Sequence, residues 1–150
     1  MKRSSTYFAK TGEIPDRWRV IDASGQTLGR VARTISLALQ GKDRPTYTPH
    51  VITGDQVLVL NAAKVRVTGR KLLQKLYYRH SGYMGHLKTF QLRDVLEDHP
   101  DRVIQLAVKG MLPRSKLGRD MLRRLRVYPG EQHRHQAQVK GLANQDEGQV

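Results

Sequence analysis

The spacing of apolar and polar positions predicts a strand followed by a helix near the start of the chain. Residues 17–23 alternate as a half-buried strand does, and a Ser-Gly turn follows them. From Leu28 onward the apolar residues recur three and four positions apart, which is helical spacing. Thr27 is the expected N-cap of this amphipathic helix and Gly41 its expected C-terminal stop. The helix should therefore pack its apolar face on a sheet.

A continuously apolar segment predicts the second strand. Residues 57–60 are all Val or Leu and are bounded by polar turns, which is typical of a strand covered on both faces. A strand, a helix and a buried strand in succession form a βαβ unit, so we expect a mainly parallel sheet. Residues 76–80 are a candidate third strand.

Helical spacing returns in the second half of the chain. It predicts helices over 89–98, over 101–112, which is entered through Pro100, and over 116–126. The last of these divides its faces most clearly, because its apolar side chains lie opposite its cations. The cations of that face are Lys116, Arg119, Arg123 and Arg126. This helix should pack on the core with one face and meet a partner with the other.

The size of the chain limits the number of domains that it can form. With 150 residues and 38% hydrophobic side chains, it can bury one ordinary core. We therefore expect a single α/β domain over 17–139. An N-terminal arm over 1–16, which orders only against a partner, precedes it, and a loose C-terminal tail over 140–150 follows it.

The overall charge points to nucleic acid as the leading partner. Lys and Arg number 27 against 13 Asp and Glu, which gives a formal net charge of +14 at pH 7. The chain has no cysteine, which excludes disulfides, thiolate zinc sites and Cys nucleophiles and fits a reducing compartment. It also lacks an apolar run long enough for a signal peptide or a membrane span. A cytoplasmic protein is therefore expected.

The stretch from 56 to 93 concentrates this charge. It contains eight Lys or Arg residues and no Asp or Glu, and aromatic residues are interleaved among the cations. Such cations repel one another unless a ligand supplies negative charge, and RNA offers phosphates together with bases that stack on aromatic rings. A solvated basic surface without a ligand is the simpler alternative. Within the stretch, Gly82-Tyr83-Met84-Gly85 predicts a loop that a sugar-phosphate strand can approach closely.

Signatures of the common enzyme classes are absent from the sequence. It has no Gly-rich nucleotide-binding motif, no Gly-x-Ser-x-Gly and no His-Glu-x-x-His. Two alternatives stay open. A metal-free ribonuclease could use two of His50, His80 and His86 as an acid-base pair, and the helix over 116–126 could lie on a membrane surface.

Several short motifs occur in a fixed order along 17–138. They include Val20-Ile21-Asp22-Ala23, Leu28-Gly29-Arg30, His80-Ser81-Gly82-Tyr83, Ala107-Val108-Lys109-Gly110-Met111-Leu112-Pro113 and Leu117-Gly118-Arg119. In this order they resemble the family of bacterial large-subunit ribosomal protein thirteen. The resemblance implies a three-layer α/β/α fold around a four-stranded, mainly parallel sheet, with extended N- and C-terminal tails. It also implies a non-catalytic protein that binds large-subunit ribosomal RNA early in assembly, braces it in the mature particle and neighbours other large-subunit proteins.

The predicted RNA contacts are mostly cations, with a smaller number of aromatic and His side chains. They are Arg44, His50, Lys64, Arg66, Arg70, Lys71, Lys75, Tyr77, Tyr78, Arg79, His80, Tyr83, Lys88, Lys109, Arg114, Lys116, Arg119, Arg123, Arg124 and Arg126. The cations are expected to anchor phosphates, and the tyrosines with His80 are expected to contact bases or sugars. No catalytic residue, metal ion or cofactor is expected.

Overall fold

The fold is seen in a computed structural model that describes residues 7–10, 12, 14, 15 and 17–139. The helices are α1 (Leu28–Gln40), α2 (Lys71–Gln74), α3 (Leu92–Asp98), α4 (Pro100–Met111) and α5 (Lys116–Arg123). The strands are β1 (Trp18–Asp22), β2 (Gln56–Leu60), β3 (Leu76–His80), β4 (Leu87–Gln91) and β5 (Leu125–Val127). The predicted C-terminal tail, 140–150, lies outside the described residues, as do the first six residues of the predicted arm.

The predicted βαβ unit is confirmed. Strands β1, β2 and β5 form a parallel sheet with β2 in the centre, and α1 connects β1 to β2. In this register Ile21 lies opposite Val59, and Leu125 lies opposite Val57. Val57, Leu58 and Val59 are fully buried. The central strand is therefore covered on both faces, as its apolar run predicts.

The predicted four-stranded sheet is not what the described residues form. Their parallel sheet has three strands, and β3 pairs antiparallel with β4 in a separate two-stranded sheet. Residues 76–80 are a strand, as predicted, but the six-residue connection that follows them is too short for a parallel crossover, which needs a dozen residues or more. The helix predicted over 89–98 begins only at Leu92, because residues 89–91 are paired with β3.

One face of the parallel sheet carries the main core. Ile35 and Leu39 of α1, Ile104 of α4 and Met121 of α5 pack in a single cluster with Val57 of β2. Fully burying an aliphatic side chain of this size contributes about 1.5–3 kcal/mol. On the opposite face, the ring of Trp18 contacts that of His135, with centroids 5.1 Å apart. Of the three layers expected, the core cluster shows the sheet and one helical layer.

Helix α1 confirms its predicted limits. Thr27 is extended and precedes the helix, although its side chain makes no capping hydrogen bond. Gly41 adopts the left-handed conformation (φ 75°), and its N–H donates to the carbonyls of Leu37 and Ala38. The chain then returns past the end of α1 at Gly54, where an added Cβ would lie 2.0 Å from the carbonyl oxygen of Leu39. Close backbone contact therefore fixes the entry into β2.

The last helix is shorter than its periodicity predicts. Helix α5 ends at Arg123 rather than at 126, and Leu125 and Arg126 belong to β5. Leu125 leaves the helix because it pairs with Val57 at the edge of the parallel sheet. Successive strand residues point to opposite faces, so Arg126 points away from the core face that Leu125 occupies. The predicted four-cation face of the helix therefore loses Arg126.

The N-terminal arm contacts the domain within the described residues. Ala9 is fully buried, and its N–H donates to Oγ1 of Thr48 at 3.3 Å. The neighbouring Phe8 is 67% exposed, but its ring contacts that of His50. Part of the predicted arm thus contacts its own domain, and its ordering by a partner stays a prediction.

Candidate nucleic-acid interface

Strands β3 and β4 and the loop between them form a two-stranded antiparallel unit over residues 76–91, which we call the ribbon. Every residue in it is exposed except Tyr77, which is half-buried. Arg79 lies directly opposite Lys88 across the two strands. Neither cation has a carboxylate oxygen within 4.0 Å among the described residues. Like charges at opposed positions destabilise a sheet, so an anion bound between them would stabilise the ribbon.

The tip of the ribbon is the Gly-x-x-Gly segment singled out in the sequence. Gly82 and Gly85 both have positive φ, 101° and 73°, which side chains rarely adopt. Gly82 N–H donates to Nδ1 of His80 at 3.0 Å, which closes the turn. Between the glycines, Tyr83 is 74% exposed and Met84 is 96% exposed. The segment therefore joins two strands and presents its side chains outward.

The aromatic candidates have different environments. Tyr78 is 64% exposed and, with Tyr83, is available for stacking on an unpaired base. Tyr77 is turned toward the protein, and its burial raises the pKa of its phenol. The ammonium of Lys75 lies 5.4 Å from the centroid of the Tyr77 ring. Phe90, opposite Tyr77, is also exposed and was missed, because residues 89–98 were predicted to be helical.

The segment between β2 and β3 extends the basic surface of the ribbon. Arg66, Arg70, Lys71 and Lys75 are exposed and have no carboxylate partner within 4.0 Å among the described residues. Lys64 approaches Glu131 at 3.8 Å, in a pair whose side chains are 62% and 76% exposed. Exposed pairs of this kind contribute about 0–1 kcal/mol, so Lys64 stays available to a stronger anion.

Two neighbouring clefts at the end of α4 are bordered by predicted cations. The α1–α4 cleft, of about 560 Å³, is bordered by Arg66, Lys71 and Lys75. The α4–α5 cleft, of about 380 Å³, is bordered by Lys109, Arg114 and Arg119. At the end of α4 the two clefts are adjacent, since Gly110 and Met111 line the first and Lys109 and Leu112 line the second. Cations that are distant in sequence thus border two neighbouring clefts.

Some predicted contacts have partners inside the chain. The guanidinium of Arg44 forms an ion pair with Asp55, and the Arg44 side chain is 15% exposed. Arg124 donates to the carbonyl of Gly54 at 3.2 Å, and Arg126 donates to the carbonyl of Arg123. Arg123 also pairs with Asp120 at 3.2 Å, whereas Lys116 is exposed. These internal bonds occupy some of the donors of Arg44, Arg124 and Arg126, and the RNA contacts predicted for these three residues stay predictions.

Comparison with known proteins decides the family. The family model described as ribosomal protein L13 matches residues 16–134. The large ribosomal subunit protein uL13 of Stenotrophomonas maltophilia (strain K279a) is 53% identical over 134 residues, which cover 89% of this chain and 94% of that protein. The chain belongs to the ribosomal protein L13 family. The uL13 protein of Thermotoga petrophila is 56% identical over 133 residues, covering 89% of each chain.

Membership of the L13 family bears on whether the chain is an enzyme. Its members named above are ribosomal proteins, so the expectation that the chain is not an enzyme is confirmed. The His residues of the ribonuclease alternative have local roles, with His50 against Phe8 and His80 in the ribbon turn. No group of three potential metal ligands converges in the part of the chain that the structure describes. None of the described helices is long and apolar enough to cross a bilayer.

Proposed function

We propose that this L13-family protein binds large-subunit ribosomal RNA through the ribbon and the adjoining basic segment. As a ribosomal protein of the large subunit, it is a cytoplasmic structural component of the ribosome, with RNA and other ribosomal proteins around it. Within that setting it engages the RNA early in subunit assembly and braces it in the mature particle. Residues 17–139 act as the RNA-binding domain.

One observation carries this proposal. Six exposed cations between β2 and β4 have no carboxylate partner within 4.0 Å among the described residues. They are Arg66, Arg70, Lys71, Lys75, Arg79 and Lys88. Folded ribosomal RNA is the partner whose charge density matches such a surface, because its phosphates are closely and regularly spaced.

The geometry divides the work between charge and stacking. Arg79 and Lys88 lie side by side, so both can reach phosphates of one strand. Tyr78 and Tyr83 offer exposed rings to bases that are not paired. The base of the ribbon is attached to the core through α3, which directly follows β4 and packs Leu96 against the core cluster. Bracing follows from this attachment to a rigid core.

The test replaces both ribbon cations, as Arg79→Gln with Lys88→Gln, and measures binding to large-subunit ribosomal RNA across a salt series. Each lost phosphate contact should lower the slope of log K against log salt by about 0.7, so the double variant should lose about 1.4. Arg33→Gln with Lys42→Gln is the control, because it removes the same charge, one Arg and one Lys, from exposed positions outside the ribbon and the adjoining basic segment. An unchanged slope in the ribbon variant, or an equal loss in the control, would reject the ribbon as an RNA surface.

Early assembly has a separate test. In cells given a short pulse of label, the chain should appear in light precursor particles before most other large-subunit proteins join them. Depletion of the chain should then make precursor particles accumulate. Entry only into fully formed subunits would contradict an early role.

A further inference from the structure

Two helical glycines have no explanation inside the chain. Gly29 is in the first turn of α1, and Gly110 is in the last turn of α4. Neither has positive φ, and a Cβ added to either would meet no atom within 4 Å. Glycine is a poor helix former, so each position is less favourable to its helix than alanine would be. Neither turn geometry nor internal packing therefore requires glycine there.

Glycines elsewhere in the fold show what an internal reason looks like. A Cβ on Gly118 of α5 would lie 1.9 Å from the carbonyl oxygen of Pro113, and one on Gly54 would clash with the end of α1. Gly41 combines positive φ with close backbone neighbours. Gly29 and Gly110 differ from all three, and both border the α1–α4 cleft.

The α1–α4 cleft has the chemistry of a site for a polyanion. The residues that line it include Arg66, Lys71 and Lys75 and no Asp or Glu. These three cations are exposed and have no carboxylate within 4.0 Å among the described residues. The floor between them is apolar, with Leu92 fully buried and Met111 43% exposed.

Hydrogen bonds fix the main chain at Arg66 and Lys75 before any ligand binds. Arg66 N–H donates to the carbonyl of Gln26 at 2.8 Å, and the Arg66 carbonyl accepts from the N–H of Leu28 at 3.0 Å. The N–H of Lys75 donates to Lys71 at 2.9 Å, and the carbonyl of Lys75 accepts from Leu92. The main chain that carries these cations is therefore ordered before an anion binds, so binding restricts only their side chains.

We infer that the α1–α4 cleft holds the sugar-phosphate backbone of ribosomal RNA, which packs directly against the main chain at Gly29 and Gly110. Arg66, Lys71 and Lys75 neutralise its phosphates, and the apolar floor receives the carbon edge of the riboses. The start of α1 adds to the attraction, since its first turn contains no acidic residue and its N–H groups carry partial positive charge. The inference rests on the proposed function and assigns the RNA contact of the adjoining basic segment to a defined cleft, apart from the ribbon.

The experiment adds methyl groups to the cleft without changing charge. Gly29→Ala and Gly110→Ala, singly and together, are compared with Gly130→Ala, which also has open space at its Cβ and ordinary φ but lies outside the cleft. The cleft variants should melt at or above the temperature of the unmodified protein, because alanine favours the helix. Their affinity for transcribed large-subunit ribosomal RNA should fall, about tenfold in the double variant, while the salt slope stays unchanged because no phosphate contact is removed.

The outcomes separate the cleft from the proposed function. If the unmodified protein binds the RNA and the double variant binds it equally well, the cleft is not an RNA site, and the ribbon proposal stands. If the unmodified protein does not bind the RNA at low salt, the proposed function fails and the cleft inference fails with it. Weakened binding of polyglutamate with unchanged RNA affinity would assign the cleft to an acidic protein segment and overturn the inference.

Discussion

We call β1, β2, β5, α1, α4 and α5 the scaffold. The scaffold and the ribbon differ in whether their charged side chains find partners inside the chain. In the scaffold, buried Asp55 pairs with both Arg19 and Arg44, and the side chains of β2 are packed on both faces. In the ribbon, the cations have no carboxylate partner among the described residues, and Tyr77 alone is half-buried. Stability therefore resides in the scaffold, whereas the ribbon carries positive charge that an anionic ligand would balance. Substitutions in the two regions should separate folding from binding.

The largest effect should come from Gly54→Ala in the scaffold. The new Cβ would lie 2.0 Å from the carbonyl oxygen of Leu39, and its other nearest atoms are also backbone of α1, so movement of a side chain cannot relieve the contact. We expect a loss of about 3 kcal/mol or more in the free energy of unfolding. Urea denaturation followed by the fluorescence of Trp18, the only tryptophan, measures it. Gly130→Ala is the control, and equal stability of the two variants would show that the scaffold tolerates movement at this contact.

A pair of truncations compares the two regions directly. Ile35→Ala removes a fully buried side chain of α1 and should lower the free energy of unfolding by about 2–5 kcal/mol. Phe90→Ala removes a larger side chain that is 41% exposed on the ribbon, and it should cost about 1 kcal/mol or less. The same urea experiment ranks them. A ribbon variant as unstable as the scaffold variant would mean that the ribbon contributes to the core.

The smallest effect concerns acid. Asp22 accepts hydrogen bonds from the amide of Ser24 at 3.0 Å and from Nδ2 of Asn61 at 2.9 Å. These bonds hold the pKa of its carboxyl below the usual 3.8, aided by the charge of Lys64. A lowered folded-state pKa contributes stability that is complete above the unfolded value and is lost as pH falls through the folded value.

Comparison with Asp22→Asn tests this pH dependence. The stability difference between the two proteins should be constant near neutral pH and shrink only below about pH 3.8. Urea denaturation at a series of pH values measures the difference, and titration of the Asp22 carboxyl carbon by NMR should give a midpoint below 3.8. A midpoint above that value would show that burial outweighs the hydrogen bonds. Asp22 is the last residue of β1, so this acid response belongs to the scaffold.

Much of the scaffold could be predicted from the sequence, because its helices and strands are marked by patterns among neighbouring residues. Helix α1 follows its apolar spacing and ends at Gly41, and the apolar run of β2 marks it as a central strand. The end of α5 could not be predicted in this way. Leu125 continues the helical spacing, yet its pairing with Val57 draws it into a strand.

The candidate interface shows the same division. A stretch without acids marked the cations of 56–93 as a binding surface, and the positive φ of Gly82 and Gly85 agrees with the tight loop expected at their motif. Sequence reasoning did not separate Arg44, which pairs with Asp55, from the exposed cations. It also missed Phe90, because β4 is recognisable only through its partner β3.

By itself, the sequence determined the basic surface, the βαβ unit and the limits of α1, because charge and apolar spacing are properties of neighbouring residues. The tertiary structure alone decided that β3 and β4 form a separate ribbon and that Arg66, Lys71 and Lys75 border one cleft with Gly29 and Gly110. The physical reason is that strand pairing and cleft formation depend on contacts between residues far apart in the chain. No local pattern specifies which distant partner a strand or a cation will meet.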